Sequence, residues 1–240
     1  MESFKIQKTL GIEEIKMKCS ICNKKAEIQY GFSRPLCREH FLRVLSSRVK
    51  KNLRKKKIFE GRERFVFLDD SSHDFETLLQ IVLPIAKAEN RNYEIKRINS
   101  RYKFKIPNDY KKSAKIFIPW TANDTATMFI KSIVEGKKPC IKGYIPKAGL
   151  IKPLECLLDS ESFLFCILSK EHSKDEKNAL KGFLKEKNVL RDSQLKEIGD
   201  LVITKRDSPD KEIRFFLNRV EEFHPGTIFS VASYIRKLEH

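Results

Sequence analysis

The chain has 240 residues, 40% of them hydrophobic, and a formal charge of +17 at neutral pH. That suits one good core with a small appendage and excludes a disordered chain. No apolar run reaches the length of a membrane span and no signal peptide leads the chain, so a cytoplasmic protein without membrane contact is expected.

Met1 to Lys18 is a mixed segment of weak periodicity. Cys19, Cys22, Cys37 and His40 then form a C-x2-C-x14-C-x2-H set. Each pair places two ligands on one tight turn, and two such pairs close on a tetrahedral zinc ion from opposite sides. Tyr30-Gly31-Phe32 lies between them and suits a small hairpin. A piece this small needs a metal to hold it, so the zinc is expected to be structural.

Phe41 to Phe59 reads as a helix, with Phe41, Leu42, Leu45, Val49, Leu53 and Ile58 as its apolar stripe and Gly61 as its terminator. Arg48, Lys50, Lys51, Arg54, Lys55, Lys56 and Lys57 fall within ten residues, with no acid among them. The positive excess is local, since residues 1–64 hold 18 Lys and Arg against 7 Asp and Glu. A clustered excess of this kind points to RNA-backbone contact, against the plainer reading of a solvated linker helix.

Phe65-Val66-Phe67-Leu68 is a buried-strand pattern, and Phe75, Leu78, Leu79, Val82 and Leu83 recur at helical spacing. Strand, tight loop and helix N-terminus is the layout that holds phosphate in α/β proteins. Such a loop normally needs glycine for close backbone approach. Here it reads Asp69, Asp70, Ser71, Ser72, His73, Asp74: no glycine, and two carboxylates ahead of the anion's position. We read it as the remains of a nucleotide site.

Strands are expected at 93–98, 102–106 and 115–120. Thr121 to Asp124 caps a helix over 125–135 that Gly136 closes. Residues 140–154 read as loop, 154–168 as a buried helix, 174–187 as a surface helix and 201–204 as a short strand. A helix over 209–223 carries Ile213, Phe216, Leu217 and Val220 inward, and a last helix starts near Phe229. Cys140, Cys156 and Cys166 read as packed small hydrophobes. Alternating strands and helices argue for an α/β fold with a mostly parallel sheet. We divide the chain into a zinc finger (1–41), a basic helix (42–60) and an α/β domain (61–237), and set 238–240 aside as a tag remnant.

The ordered set resembles the cytosolic tRNA 2-thiolation proteins of the ATP-pyrophosphatase, or PP-loop, superfamily. That family has an N-terminal C-x-x-C…C-x-x-H finger, a basic helix, a strand with an S-G-G-x-D-S loop, an acidic pair opening a helix that ends in glycine, and a closing helix with an H-P-G-T turn. Asn123-Asp124-Thr125-Ala126 through Gly136, and Glu212 through His224-Pro225-Gly226-Thr227, fit the last two. The departures are systematic. Asp70-Ser71-Ser72-His73-Asp74-Phe75 stands at the loop with only Asp74 matching, and Asn123 replaces one acid. The central C-x-x-C is absent from residues 98–118, and the chain ends before the four-cysteine finger of the archaeal type.

The resemblance implies a Rossmann-like sheet of the PP-loop type, and a tRNA-binding, non-catalytic subunit that pairs with a catalytic paralogue in wobble-uridine 2-thiolation. Zinc is expected, and neither ATP nor an iron–sulfur cluster. The alternatives are an active tRNA sulfurtransferase with a divergent loop, in which His73 and Asp74 face phosphate or metal, and a standalone zinc-finger RNA-binding protein.

Overall fold

The structure, a computed structural model, describes residues 17–30, 34–99, 114–136, 150–169 and 210–238. A two-stranded antiparallel hairpin, β1 (Ile28–Tyr30) and β2 (Arg34–Leu36), opens the described chain. Helix α1 (Arg38–Lys55) follows at once, with Cys37 in extended backbone ahead of it. His40 therefore lies in the first turn of the basic helix, which starts earlier than the apolar stripe suggested. It also ends earlier, at Lys55, because Lys57 takes the left-handed conformation (φ 54°) ahead of Gly61.

The sheet comprises β3 (Arg64–Asp69), β4 (Tyr93–Arg97), β5 (Ala114–Phe117) and β6 (Leu150–Ile151) in the order β4-β3-β5-β6, every pairing parallel. The chain is mixed α/β, as expected. The short β6 falls in a stretch read from sequence as loop; two residues are too few to show a period.

Side chains of β3 alternate between two buried faces, the pattern of a strand covered on both sides. Phe65 and Phe67 meet Phe117 at ring-centroid separations of 4.9 Å each. They pack with Phe75, Leu78, Ile81 and Val82 of α2 (His73–Ala88) and with Phe41, Leu45, Val49 and Leu53 of α1. The hairpin's Ile28 and Leu36 join the same core. Val66 and Leu68 face the other way, with Ile116, Ile118, Trp120 and Met128.

Helix α3 (Ala122–Val134) begins at Ala122, not Thr125, because Thr121 is the N-cap and Asp124 completes a capping box with it. Its end is as expected: Gly136 sits at φ +62°, where a side chain would be strained. A 3₁₀ turn (Pro153–Cys156) leads to α4 (Asp159–Ser169), which packs on α1 and α2. Helices α5 (Lys211–Phe223) and α6 (Thr227–Leu238) pack on α3 through Leu217, Ile228 and Ala232 against Ala122 and Ala126.

One inward assignment on α5 is corrected. Phe216 is 57% exposed, while Arg214 is fully buried. The expected strand at 102–106, the helix at 174–187, the strand at 201–204, most of residues 1–18 and Cys140 lie outside the described residues.

Candidate functional site

Three features carry chemistry: a four-ligand cluster, a basic helix and a crevice at the sheet's carboxyl edge. The first is built by the turn at Cys19–Cys22 and by the start of α1. The chain bends back so that the Cys19 N–H donates to the Lys24 carbonyl (2.7 Å) and the Ser20 N–H to the Pro35 carbonyl (2.9 Å). The ligand atoms of Cys19, Cys22, Cys37 and His40 all lie within 4.8 Å of one another. Cys22 and Cys37 Sγ are 3.7 Å apart, and His40 Nδ1 is 3.5 Å from Cys19 Sγ and 3.3 Å from Cys37 Sγ. A tetrahedral ion with zinc–sulfur bonds of about 2.3 Å separates its sulfur ligands by roughly 3.8 Å, so these atoms fit a single ion.

The cluster could thus form a zinc site. Burial pushes the Cys19 thiol up, but N–H groups of Cys37, Ile21 and Cys22 directed at the sulfur outweigh it and hold the thiol at about 6. Burial raises Cys37. A metal bound here would displace the thiol protons that remain, so its affinity would rise with pH.

The basic run of α1 divides in two. Arg48 pairs with Glu161 of α4 and lies over the Phe229 ring at 5.6 Å; Lys56 pairs with Glu155, which also accepts from Asn52 Nδ2 at 3.3 Å. Both acids are buried. Arg48 and Lys56 therefore fasten the helix to the domain. Lys51, Arg54 and Lys55 are exposed, Lys50 is half-buried, and Lys57 lies 3.7 Å from Glu60. Sequence reading missed Glu155 and Glu161; charges in an otherwise apolar stretch were the signal, because buried charges are paired.

Ligands in open α/β sheets bind beyond the carboxyl ends of strands where the order reverses. Here that point lies between β3 and β5. At β3 the loop keeps its glycine-like geometry, with Ser71 at φ 58°. The donors of Ser71 and Ser72 are engaged internally. The Ser71 N–H donates to Asp69 Oδ1 (2.7 Å), and the Ser72 N–H (3.2 Å) and hydroxyl (2.6 Å) donate to Asp70 Oδ1. Ser72 Oγ in turn caps α2, accepting from the Phe75 N–H at 3.2 Å. His73 Nε2 lies 3.1 Å from Asp74 Oδ1, and its ring meets Phe163 edge-on.

At β5 the chain runs through Pro119 and Trp120 to Thr121. Asp74, Asp124 and Asp159 converge there, their nearest oxygens within 4.8 Å of one another, each carboxylate buried. Arg214 enters from α5. Its Nη1 donates to Asp159 Oδ2 at 2.6 Å and its Nη2 pairs with Asp124. Asp124 Oδ2 accepts from the Thr121 N–H at 2.8 Å. Asn123 accepts from the Asp159 N–H at 3.0 Å and donates to Asn218 at 3.2 Å, joining α3, α4 and α5.

Asp74 is the one sequence-selected loop residue that reaches this cluster. Asp159 and Arg214 were missed: an arginine beside an apolar stripe reads as solvent-facing until its partners are in place. Burial pushes the Cys156 thiol up to about 11, and buried Cys166 donates to Glu76 at 3.0 Å, so both behave as packing groups.

A scan against protein-family models and a search of curated proteins each gave no match. Among solved structures, the U34-tRNA thiolase NcsA from Methanococcus maripaludis, with its 4Fe-4S cluster, is similar at a TM-score of 0.58 and 14% identity. The match covers 94% of this chain and 89% of that one. At that identity the likeness speaks for the fold, consistent with the Rossmann-like PP-loop type expected from the sequence. It also corrects an expectation. No iron–sulfur cluster was expected, because the central C-x-x-C is missing, yet a protein of this fold carries a 4Fe-4S cluster. Thiolates such as Cys19, Cys22 and Cys37 are ligands that iron–sulfur centres use as zinc does, so the exclusion does not stand. What the likeness establishes for this chain is its fold: a mixed α/β protein with a parallel sheet whose architecture is similar to that of the NcsA structure.

Proposed function

We propose that this chain is a tRNA-binding, non-catalytic subunit of a tRNA wobble-uridine 2-thiolation complex. One observation carries the non-catalytic part: the Ser71 and Ser72 N–H groups, placed where a phosphate would be held, are bonded to Asp69 and Asp70. A triphosphate would have to displace two carboxylates and then sit beside them. The tRNA assignment draws on the likeness to a U34-tRNA thiolase and on the exposed cations of α1. Pairing with a catalytic paralogue is supported by the outer side of α5, where Phe215, Phe216 and Phe223 are 38%, 57% and 68% exposed. Aromatic groups left in solvent together mark a contact face.

Isothermal titration with ATP and magnesium tests the first part. No heat of binding is expected up to millimolar nucleotide; a micromolar Kd would restore the reading as an active sulfurtransferase.

The RNA-contact part has its own test. Because Lys56 is bound to Glu155, the informative variant reverses Lys51, Arg54 and Lys55 to glutamate. We expect tRNA affinity to fall at least tenfold and the slope of log K against log salt to flatten by roughly two to three, about 0.9 per lost phosphate contact. Unchanged affinity in a filter-binding salt series removes α1 from the interface.

A further inference from the structure

The chain passes from α1 to β3 through residues 56–63, and four successive carbonyls on that linker are each taken by a cation. Lys115, the second residue of β5, donates through Nζ to the Ile58 carbonyl at 2.9 Å and to the Glu60 carbonyl. Arg91, between α2 and β4, donates through Nη2 to the Phe59 carbonyl and through Nη1 to the Gly61 carbonyl. Alternate carbonyls therefore go to opposite sides. The sheet order explains this, because the linker runs into β3, which lies between β4 and β5. Gly61 takes φ +92°, and a Cβ there would fall 2.2 Å from the Glu63 carboxylate, so the conformation calls for glycine.

Both cations are mostly buried, with side chains 17% and 18% exposed. Lys115 Nζ also lies 3.4 Å from Glu63 and Arg91 Nε 3.5 Å from Glu89, while the Arg91 guanidinium sits over the Phe65 ring at 5.8 Å. With an acid beside each, the pair adds little net charge to the surface. What it engages is backbone. The C-terminal end of a helix is electronegative, by roughly half a charge, and phosphate favours the other end. Yet the exposed cations Lys51, Arg54 and Lys55 lie in the last turns of α1, and exposed Lys57 and Arg62 follow on the linker. The carbonyls of Asn52, Leu53 and Arg54 accept from the N–H groups of Lys56, Ile58 and Lys57. Arg91 and Lys115 then occupy those of residues 58–61.

We propose that Arg91 and Lys115 are positioning residues for the RNA contact. They hold the linker in one conformation with its carbonyls occupied, so that a phosphate backbone meets side-chain cations, not backbone oxygens, at the end of α1. Neither touches the RNA. The role rests on the reading of α1 as an RNA-contact element, and adds to it the residues that make a helix C-terminus fit for phosphate.

The test compares full-length wild type with Arg91→Gln/Lys115→Gln, using unfractionated tRNA in a filter-binding salt series and limited trypsin digestion of the free protein. Trypsin needs an open linker to cut after Lys57 and Arg62, so cleavage there reports its release. At a temperature where circular dichroism shows both proteins folded, cleavage at these bonds should be roughly tenfold faster in the variant. tRNA affinity should fall about tenfold while the slope of log K against log salt stays as in wild type, because no phosphate contact is lost. Arg91→Lys keeps the charge but cannot fork to two carbonyls, and should fall between on both readings.

Cleavage at the wild-type rate overturns the proposal. Unchanged affinity in a variant whose linker is released also overturns it, and leaves the pair a purely structural role. A slope flattened by about 0.9 for each lost cation makes Arg91 and Lys115 phosphate contacts themselves, which overturns it too. If the double variant does not fold, Arg91→Lys decides on the same readings. The reversal of Lys51, Arg54 and Lys55 judges α1 separately. If it weakens binding and the present variants do not, only this proposal falls; if it leaves affinity unchanged, the RNA reading of α1 falls and this role with it.

Discussion

Replacing Cys19 with serine should release the metal and melt the hairpin of residues 19–37, while the parallel sheet stays folded. The hairpin supplies little apolar mass of its own, with Ile28 and Leu36 its buried contribution to the shared core. Metal binding in such small units contributes on the order of 10 kcal/mol, which then becomes folding free energy. Cys19 is fully buried, and N–H groups directed at its sulfur favour the thiolate. A serine oxygen there stays protonated and is a poor ligand for a soft site.

Because α1 also rests on Phe41, Leu45, Val49 and Leu53 against the sheet, unfolding should stop at its first turn. Metal analysis with amide hydrogen exchange measures this. Retained metal with full protection of residues 19–37 would show that the cluster does not organise the hairpin. The visible spectrum of the same sample separates zinc, which is colourless, from an iron–sulfur centre.

The second large effect is expected at Asp124. Asp124→Ala removes the acceptor that completes the α3 capping box and takes from Arg214 one of its two buried acids. The cap is worth about 1 kcal/mol, and breaking a buried pair costs about 3–5 kcal/mol. Arg214 and Asp124 are both fully buried, so solvent screening does not reduce that figure. For a chain of this size the combined loss lowers Tm by roughly ten degrees or more. Asp124→Asn keeps a cap acceptor and should fall between. In a double-mutant cycle, Asp124→Ala/Arg214→Met should lose clearly less than the two single losses added, because the second change removes the charge the first left unpaired. Additive losses would mean that the two side chains do not act as a pair. A single loss near 1 kcal/mol would reduce Asp124 to its capping role.

Local chemistry wrote much of this structure legibly. The Cys and His spacing marked the four residues that meet in one cluster, the apolar run at 65–68 marked β3, and Ser72 and Thr121 marked where α2 and α3 begin. Each is a short-range signal, set by one turn of backbone or by the period of one element. The missing glycines of the loop were equally plain; what the carboxylates do there was not. Whether Asp69 and Asp70 face outward or fold back on the Ser71 and Ser72 N–H groups depends on a backbone conformation that composition does not state.

The basic run shows the limit in another way. Seven cations within ten residues read as one surface. The fold splits them, because Glu155 and Glu161, about a hundred residues away, are buried against the same helix and claim Lys56 and Arg48. Arg214 is the furthest from legibility. Its position follows from three helices converging on one point, which no segment encodes alone. Sequence by itself determined β3, the starts of α2 and α3 and the grouping of Cys19, Cys22, Cys37 and His40, since those depend on residues close in the chain. The tertiary structure decided which charges are buried and which meet solvent, because a buried charge is set by its partners, and here those partners lie on other helices.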